Sequence, residues 1–209
     1  MKLKKINTNL QKALQEAGLT EPTTLQNDSF GTIKSGADCV IAGPSSEGKT
    51  TAIVIHVIQR LEKAFMQSPR ALVIVQDKEK VLEMLEMFSK YAKYTDLRAY
   101  GVYEKTDMDE DKNQISDGID VLIGTPQKLN DMFSTAGYDV NQLKMFIVDD
   151  TELLLKNRLE SKISRVSNSI QKTQRIFFTD IITDRVEFLA DRIMVEPIFL
   201  EMDEDDEES

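Results

Sequence analysis

Residues Gly43-Pro44-Ser45-Ser46-Glu47-Gly48-Lys49-Thr50 follow the pattern G-x-x-x-x-G-K-[ST], and those residue types at that spacing suit the holding of a phosphate chain. Glycine at both ends lets the backbone curl so that successive N–H groups point inward at phosphate oxygens. Lys49 reaches the β/γ-phosphates, and the Thr50 hydroxyl is placed to ligate Mg²⁺. The candidate nucleotide contacts in this stretch are Ser45, Ser46, Gly48, Lys49, Thr50 and Thr51. A phosphate loop also needs a carboxylate for its metal. The apolar run Met145–Val148 ends in Asp149-Asp150, which puts two acids at the end of a buried strand. Asp149 would bind Mg²⁺, through water, and Asp150 could orient or deprotonate an attacking water. The competing reading is an ordinary helix start, since Asp150 and Thr151 also suit an N-cap.

Elements of the right kind flank both motifs. A buried strand, Cys39–Ala42, precedes the loop, and a helix follows it, so the helix N-terminus adds its positive dipole end to the site. Further short β-rich runs are Ala71–Val75, Leu97–Tyr103, Val121–Gly124, Met145–Val148, Arg175–Thr179 and Ile193–Leu200. Helical periodicity falls at Leu10–Ala17, Thr50–Met66, Lys80–Tyr94, Pro126–Ser134, Thr151–Ile170 and Asp184–Ala190, and the polar stretch Glu104–Asp120 reads as a long loop with a short helix. Such alternation predicts a doubly wound α/β domain: a parallel sheet between two helical layers, with ligands at the carboxyl ends of the strands.

Bulk composition narrows the class. The chain has 209 residues, 41% hydrophobic and 30% charged, enough for one domain with a well-buried core. No apolar run approaches the ~18 residues of a membrane span. The N-terminus lacks a signal-peptide core, and the single cysteine, Cys39, excludes an internal disulfide, so a reduced cytoplasmic setting is expected. The net charge of −10 is unevenly placed, because residues 201–209 hold seven of the 36 carboxylates. They predict a disordered acidic tail on a near-neutral domain spanning residues 1–200. His56, the only histidine, is expected to pack or face solvent rather than catalyse.

In order and spacing, five segments together resemble landmarks of the first RecA-like domain of DEAD-box RNA helicases. Gly18–Gln26 is similar to the Q motif, Gly36–Val40 to the lead-in to the phosphate loop, and Gly124–Leu129 to the RNA-contacting T-P-G-R-L segment. Asp149-Asp150-Thr151-Glu152 occupies the D-E-A-D position, and Thr179-Asp180-Ile181 stands where the family has S-A-T. The resemblance implies a RecA-like P-loop NTPase fold, with ATP and Mg²⁺ as ligands and the catalytic roles on Lys49, Asp149 and Asp150. It implies that Gln26 reads the adenine edge, against the plainer reading of a solvated residue at a helix start. It also implies contact with a single-stranded RNA backbone through Lys78, Gly101, Thr125, Gln127 and Lys128, and ATP–RNA coupling through Glu152 and Thr179. The basic residues Lys156, Arg158, Lys162 and Arg165 read as a solvated helix face.

Departures fall on the working parts. Ser46 and Glu47 replace small residues of the loop, Asp150 is one methylene shorter than the family's glutamate, and Asp180 and Ile181 replace alanine and threonine. Gln76–Lys80 reads Q-D-K-E-K where the family has P-T-R-E-L. No second RecA-like domain fits after residue 200, so this chain alone is not expected to unwind a duplex. It reads either as a piece of a longer helicase or as a complete small protein. Two functions follow: an ATP-binding helicase domain with weak or slow hydrolysis, and a non-catalytic relative that binds nucleotide or a protein partner as a regulator. A small-molecule kinase would leave the Q-motif and T-P-x-K landmarks unexplained.

Overall fold

A computed structural model describes residues 6–44 and 48–202. The candidates Ser45 and Ser46, and the acidic stretch from 203 onward, lie outside the described residues. Among the described residues the order is α1 (Thr8–Glu16), α2 (Thr24–Ser35), β1 (Cys39–Ala42), α3 (Lys49–Leu61), β2 (Ala71–Ile74), α4 (Lys78–Tyr91), β3 (Ala99–Val102), α5 (Met108–Gly118), β4 (Val121–Gly124), α6 (Pro126–Ser134), β5 (Met145–Val148), α7 (Thr151–Lys156), α8 (Glu160–Asn168), β6 (Gln174–Thr179), α9 (Asp184–Ile193) and β7 (Ile198–Glu201). The seven strands form one parallel sheet in the order β3-β4-β2-β5-β6-β1-β7.

Both faces of this sheet are covered, which explains why its inner strands are uninterrupted apolar runs rather than alternating ones. Along β5, Met145 and Ile147 enter one core with α1–α4, while Phe146 and Val148 enter a second core with α5–α9. Strand β6 splits the same way, with Ile176 and Phe178 on one side and Phe177 on the other. Each fully buried phenylalanine contributes roughly 2–3 kcal/mol by area. At the opposite end from the motifs, Asp120 pins three elements together. It pairs with Arg70 (2.6 Å) and Arg98 (2.9 Å) and accepts the Phe65 amide (3.0 Å).

Several elements differ from the periodicity reading. Helix α2, with no counterpart among the expected helices, starts on a reciprocal cap in which Thr23 and Gln26 serve each other's backbone N–H, and it ends at Gly36 with φ +87°. The run 151–170 is two helices, broken where Arg158 takes φ +60°. Helix α3 stops at Leu61 because Glu62 turns left-handed at φ +61°. The acidic stretch 104–120 holds an 11-residue helix, α5, capped by Asp107. Ile193 ends α9, and the last strand begins at Ile198 and runs to Glu201, one residue past the expected domain end.

Candidate functional site

Strand register assembles the site at the carboxyl edge of the sheet. Ala42 of β1 lies beside Thr179 of β6, and the Gly43 amide donates to the Thr179 carbonyl (3.2 Å). On the other side of β6, β5 ends level with β2, and the Asp149 amide donates to the Ile74 carbonyl (2.9 Å). A cavity of about 180 Å³ opens there, lined by Gly48, Lys49, Thr50, Thr51, Lys80, Glu83, Met87, Asp149 and Asp150. The candidates Gly48, Lys49, Thr50 and Thr51 and both aspartates therefore share one space, although about 100 residues of chain separate them.

Helix α2 braces the loop from behind. Gly48 sits at φ +69°, a left-handed conformation that glycine adopts without cost. A Cβ there would also come within 2.9 Å of the Gln26 amide nitrogen, and one at Gly43 within 2.9 Å of Leu25. Both glycines thus make room for the first turn of α2. Gln26 is buried, with its carbonyl oxygen accepting the Thr23 amide (3.3 Å) and its NH₂ donating to the Gly48 carbonyl (3.4 Å). Lys49 is buried as well. Its ammonium donates to the Gly43 carbonyl (2.8 Å) and is ion-paired with Asp180.

The two aspartates are unlike each other. Asp149 is buried; one carboxylate oxygen accepts the Asp150 amide (3.0 Å), and the other, Oδ2, has no hydrogen-bond partner. Burial, and then the charge of Asp150, pushes its carboxyl well above the usual carboxylate range. Asp150 takes a left-handed backbone (φ +46°, ψ +46°) and makes no side-chain cap bond to α7. Such strain in a non-glycine residue costs roughly 1–3 kcal/mol and persists only where the surroundings impose it. Burial pushes Asp150 upward too, opposed by Lys80 and reinforced by Glu152. The orphaned, buried Asp149 oxygen beside Thr50 fits a hydrated hard cation, which takes oxygen ligands and often keeps its waters.

Behind the acids lies a hydroxyl network. Thr179 Oγ1 lies within hydrogen-bond reach of the Glu152 carboxylate and of the Ile181 carbonyl (2.8 Å). Thr151, fully buried, has its hydroxyl near the Val148 and Phe178 carbonyls (3.2 and 3.0 Å), so it ties the end of β5 to β6.

The RNA candidates are more scattered in environment. Lys78 is exposed at the start of α4, its ammonium 5.4 Å from the Tyr103 ring centre. Gly101 lies under α4, where a Cβ would meet Val81 and Leu85 at 2.6 Å. Thr125 is buried at the start of α6 with its hydroxyl unpartnered. Gln127 donates to both oxygens of Asp131 (2.9 and 2.8 Å). Lys128 turns inward to Asp111 (2.8 Å) and the Thr106 carbonyl (2.6 Å), so its charge holds the loop before α5 rather than facing solvent. Lys156, Arg158 and Arg165 are exposed. His56 is buried against Phe30, with ring centres 5.6 Å apart.

Lys80, Glu83 and Met87 of the cavity lining, and Asp180, were not among the sequence candidates. Asp180 holds Lys49, and Lys80 lines the cavity with an ammonium 3.2 Å from Glu83. Burial works against the Lys80 charge, but Glu83, Asp149 and Asp150 outweigh it and raise its pKa. In sequence Asp180 and Lys80 are each a charge placed where the resembling motif carries an apolar residue, the one signal that could have found them.

A family model described as DEAD/DEAH box helicase matches residues 23–186. The ATP-dependent RNA helicase eIF4A of Eremothecium gossypii is 24% identical over 199 residues, which cover 95% of this chain and 49% of that protein. The DEAD-box ATP-dependent RNA helicase CshC of Bacillus cereus is 22% identical over 196 residues, 93% of this chain and 50% of the relative. Among solved structures, the yeast DEAD-box splicing factor Prp28 aligns with a TM-score of 0.84 at 19% identity, covering 95% of this chain and 51% of that one. A DEAD box protein from the hyperthermophile Methanococcus jannaschii aligns at 0.88 and 16% identity, covering 95% and 55%. The structural likeness shows a shared fold. This chain spans about half the length of the curated relatives it matches. Among the described residues, no helix is long and apolar enough to cross a membrane.

Proposed function

Because the chain belongs to the DEAD/DEAH box helicase family, with its family match running over residues 23–186, we propose that it binds Mg²⁺-ATP and, weakly, a single-stranded RNA backbone, with slow intrinsic hydrolysis. The observation that carries this reading is the single cavity lined by Lys49, Thr50, Asp149 and Asp150. Lys49 and the Gly48–Thr51 backbone would hold the phosphates, at the positive end of the α3 dipole. Thr50 and Asp149 would hold the Mg²⁺ ion, which when bound neutralises charge on the phosphate oxygens. Asp150, strained and raised in basicity by burial, is the group proposed to accept a proton from the attacking water. A base nearer neutral pH suits that task. The Glu152–Thr179 contact is the proposed mechanical link from this acid pair to strand β6.

Gln26 is the proposed adenine reader. Its amide offers both a donor and an acceptor, the pair needed for the N6/N7 edge, and it already touches the phosphate loop at Gly48. RNA contact would run through Lys78, Thr125, Gln127 and the backbone near Gly101, with Lys128 shaping that surface. Contacts of this kind position a strand without reading its sequence. With a single exposed cation among them, the salt dependence of RNA binding should be shallow. Unwinding would be a property of a whole helicase rather than of the part described. Competition against a fluorescent ATP analogue tests the adenine assignment. ATP should displace it at roughly tenfold lower concentration than GTP, and equal displacement would sink the Gln26 role.

A second reading, a regulatory module that binds nucleotide without turnover, is favoured by one observation: Lys49 is already engaged by Asp180. Single-turnover hydrolysis with and without RNA separates the two readings.

A further inference from the structure

We propose that Asp180 sets the affinity of the phosphate site, its carboxylate occupying Lys49 until phosphates displace it. The inference rests on the nucleotide-site reading above. Lys49 is 5% exposed at its side chain, and among the described residues its ammonium meets the Gly43 carbonyl and the Asp180 carboxylate. Asp180 is 41% exposed, so once released its charge can be taken up by water while that of Lys49 cannot. The pairing is dictated by topology. Strand β6 runs alongside β1 with Thr179 level with Ala42, so the residue after Thr179 arrives near Gly43, whose carbonyl also meets Lys49. A residue with neither charge nor acceptor there would leave Lys49, among the described residues, with the Gly43 carbonyl alone.

Asp180 also adds to the negative charge that an incoming nucleotide meets. One carboxylate oxygen from each of Asp150, Glu152 and Asp180 lies within 4.8 Å of the other two. Phosphates entering the cavity must take the ammonium from Asp180 and then sit near its carboxylate. Like charges at short range in a partly dry site oppose binding strongly. A divalent cation arriving with the nucleotide would offset part of this repulsion, so the penalty should be largest for metal-free phosphates. Asp180 would therefore make the site selective for the metal-bound form of its ligand as well as weaker overall.

The test compares the chain with its Asp180→Asn and Asp180→Ser variants, using a fluorescent non-hydrolysable ATP analogue and inorganic tripolyphosphate, in Mg²⁺ and in chelator. Asparagine keeps the shape and can still accept from Lys49, and serine guards against a fold defect special to one variant. Thermal melts without ligand report folding, and both variants should melt slightly lower because Lys49 loses its partner. Affinity should rise on the order of tenfold in Mg²⁺, the size expected for removing one charged competitor, and more in chelator. If the parent chain binds and both variants bind equally or more weakly, Asp180 does not compete for Lys49, while the nucleotide site stands. A loss confined to Mg²⁺ conditions would instead make Asp180 a holder of the cation and overturn the proposal. If neither parent nor variants bind at millimolar ligand, the nucleotide-site reading fails and the proposal falls with it.

Discussion

Acid should loosen the brace behind the phosphate loop through one residue, His56. The ring is buried on α3 against Phe30 of α2, and burial lowers its pKa from 6.5 to about 3. Between those values the unfolded chain takes a proton that the native chain refuses, so the stability owed to neutral His56 is complete above the unfolded value and is lost as pH falls. The loss should be roughly 1 kcal/mol at pH 5.5 and roughly 3 kcal/mol at pH 4.5, reaching roughly 4 kcal/mol near pH 3. Because α2 carries Gln26 and α3 begins at Lys49, separating these helices would also draw Gln26 from Gly48. Urea unfolding at pH 7.5, 5.5 and 4.5 measures the effect in the parent chain and in His56→Leu. Other groups titrate in both proteins, so the difference between the two pH slopes isolates the imidazole. A His56→Leu chain with the same slope as its parent would refute the reasoning.

Other groups make independent predictions. Asp149 is the opposite case: its raised carboxyl contributes stability that is present at low pH and lost as pH climbs through the raised value. Asp149→Asn should thus be more stable than the parent at pH 8 by roughly 1–3 kcal/mol in urea unfolding, with the gap closing near pH 4. Thr179→Val removes the hydroxyl facing Glu152 and Ile181; it should cost ~1–2 kcal/mol of stability and abolish any enhancement of ATP binding by RNA, read by fluorescence titration. Asp120→Ala leaves Arg70 buried and unpaired, so chemical unfolding should show a loss of ~3–5 kcal/mol, the largest of this set.

Most of the frame was legible because parallel strands buried on both faces announce themselves as unbroken apolar runs. Cys39–Ala42, Val121–Gly124 and Met145–Val148 are strands over those very residues. Helix α2 escaped because its signal lies in the Thr23–Gln26 cap and not in a clean apolar stripe, and Gly31 sits in its middle. The breaks at Glu62 and Arg158 escaped because left-handed backbone at a charged residue leaves no composition cue. The phosphate loop and the acid pair were readable as motifs, since each is local. Lys49–Asp180 was not, because a pair 131 residues apart in sequence is created only by the β1–β6 register. Thr151 stands where the D-E-A-D motif has alanine. In the fold its hydroxyl has two buried carbonyls to meet.

The central claim is that Lys49, Thr50 and Asp149 form a working nucleotide site. It is tested most directly by titrating the purified chain with a fluorescent ATP analogue in Mg²⁺, beside Lys49→Ala. Saturable binding is predicted for the parent chain, weakened by roughly a hundredfold in the variant, the scale of one charge-assisted phosphate contact in a partly dry site. Absence of binding at millimolar analogue, or equal binding by the two chains, would contradict it.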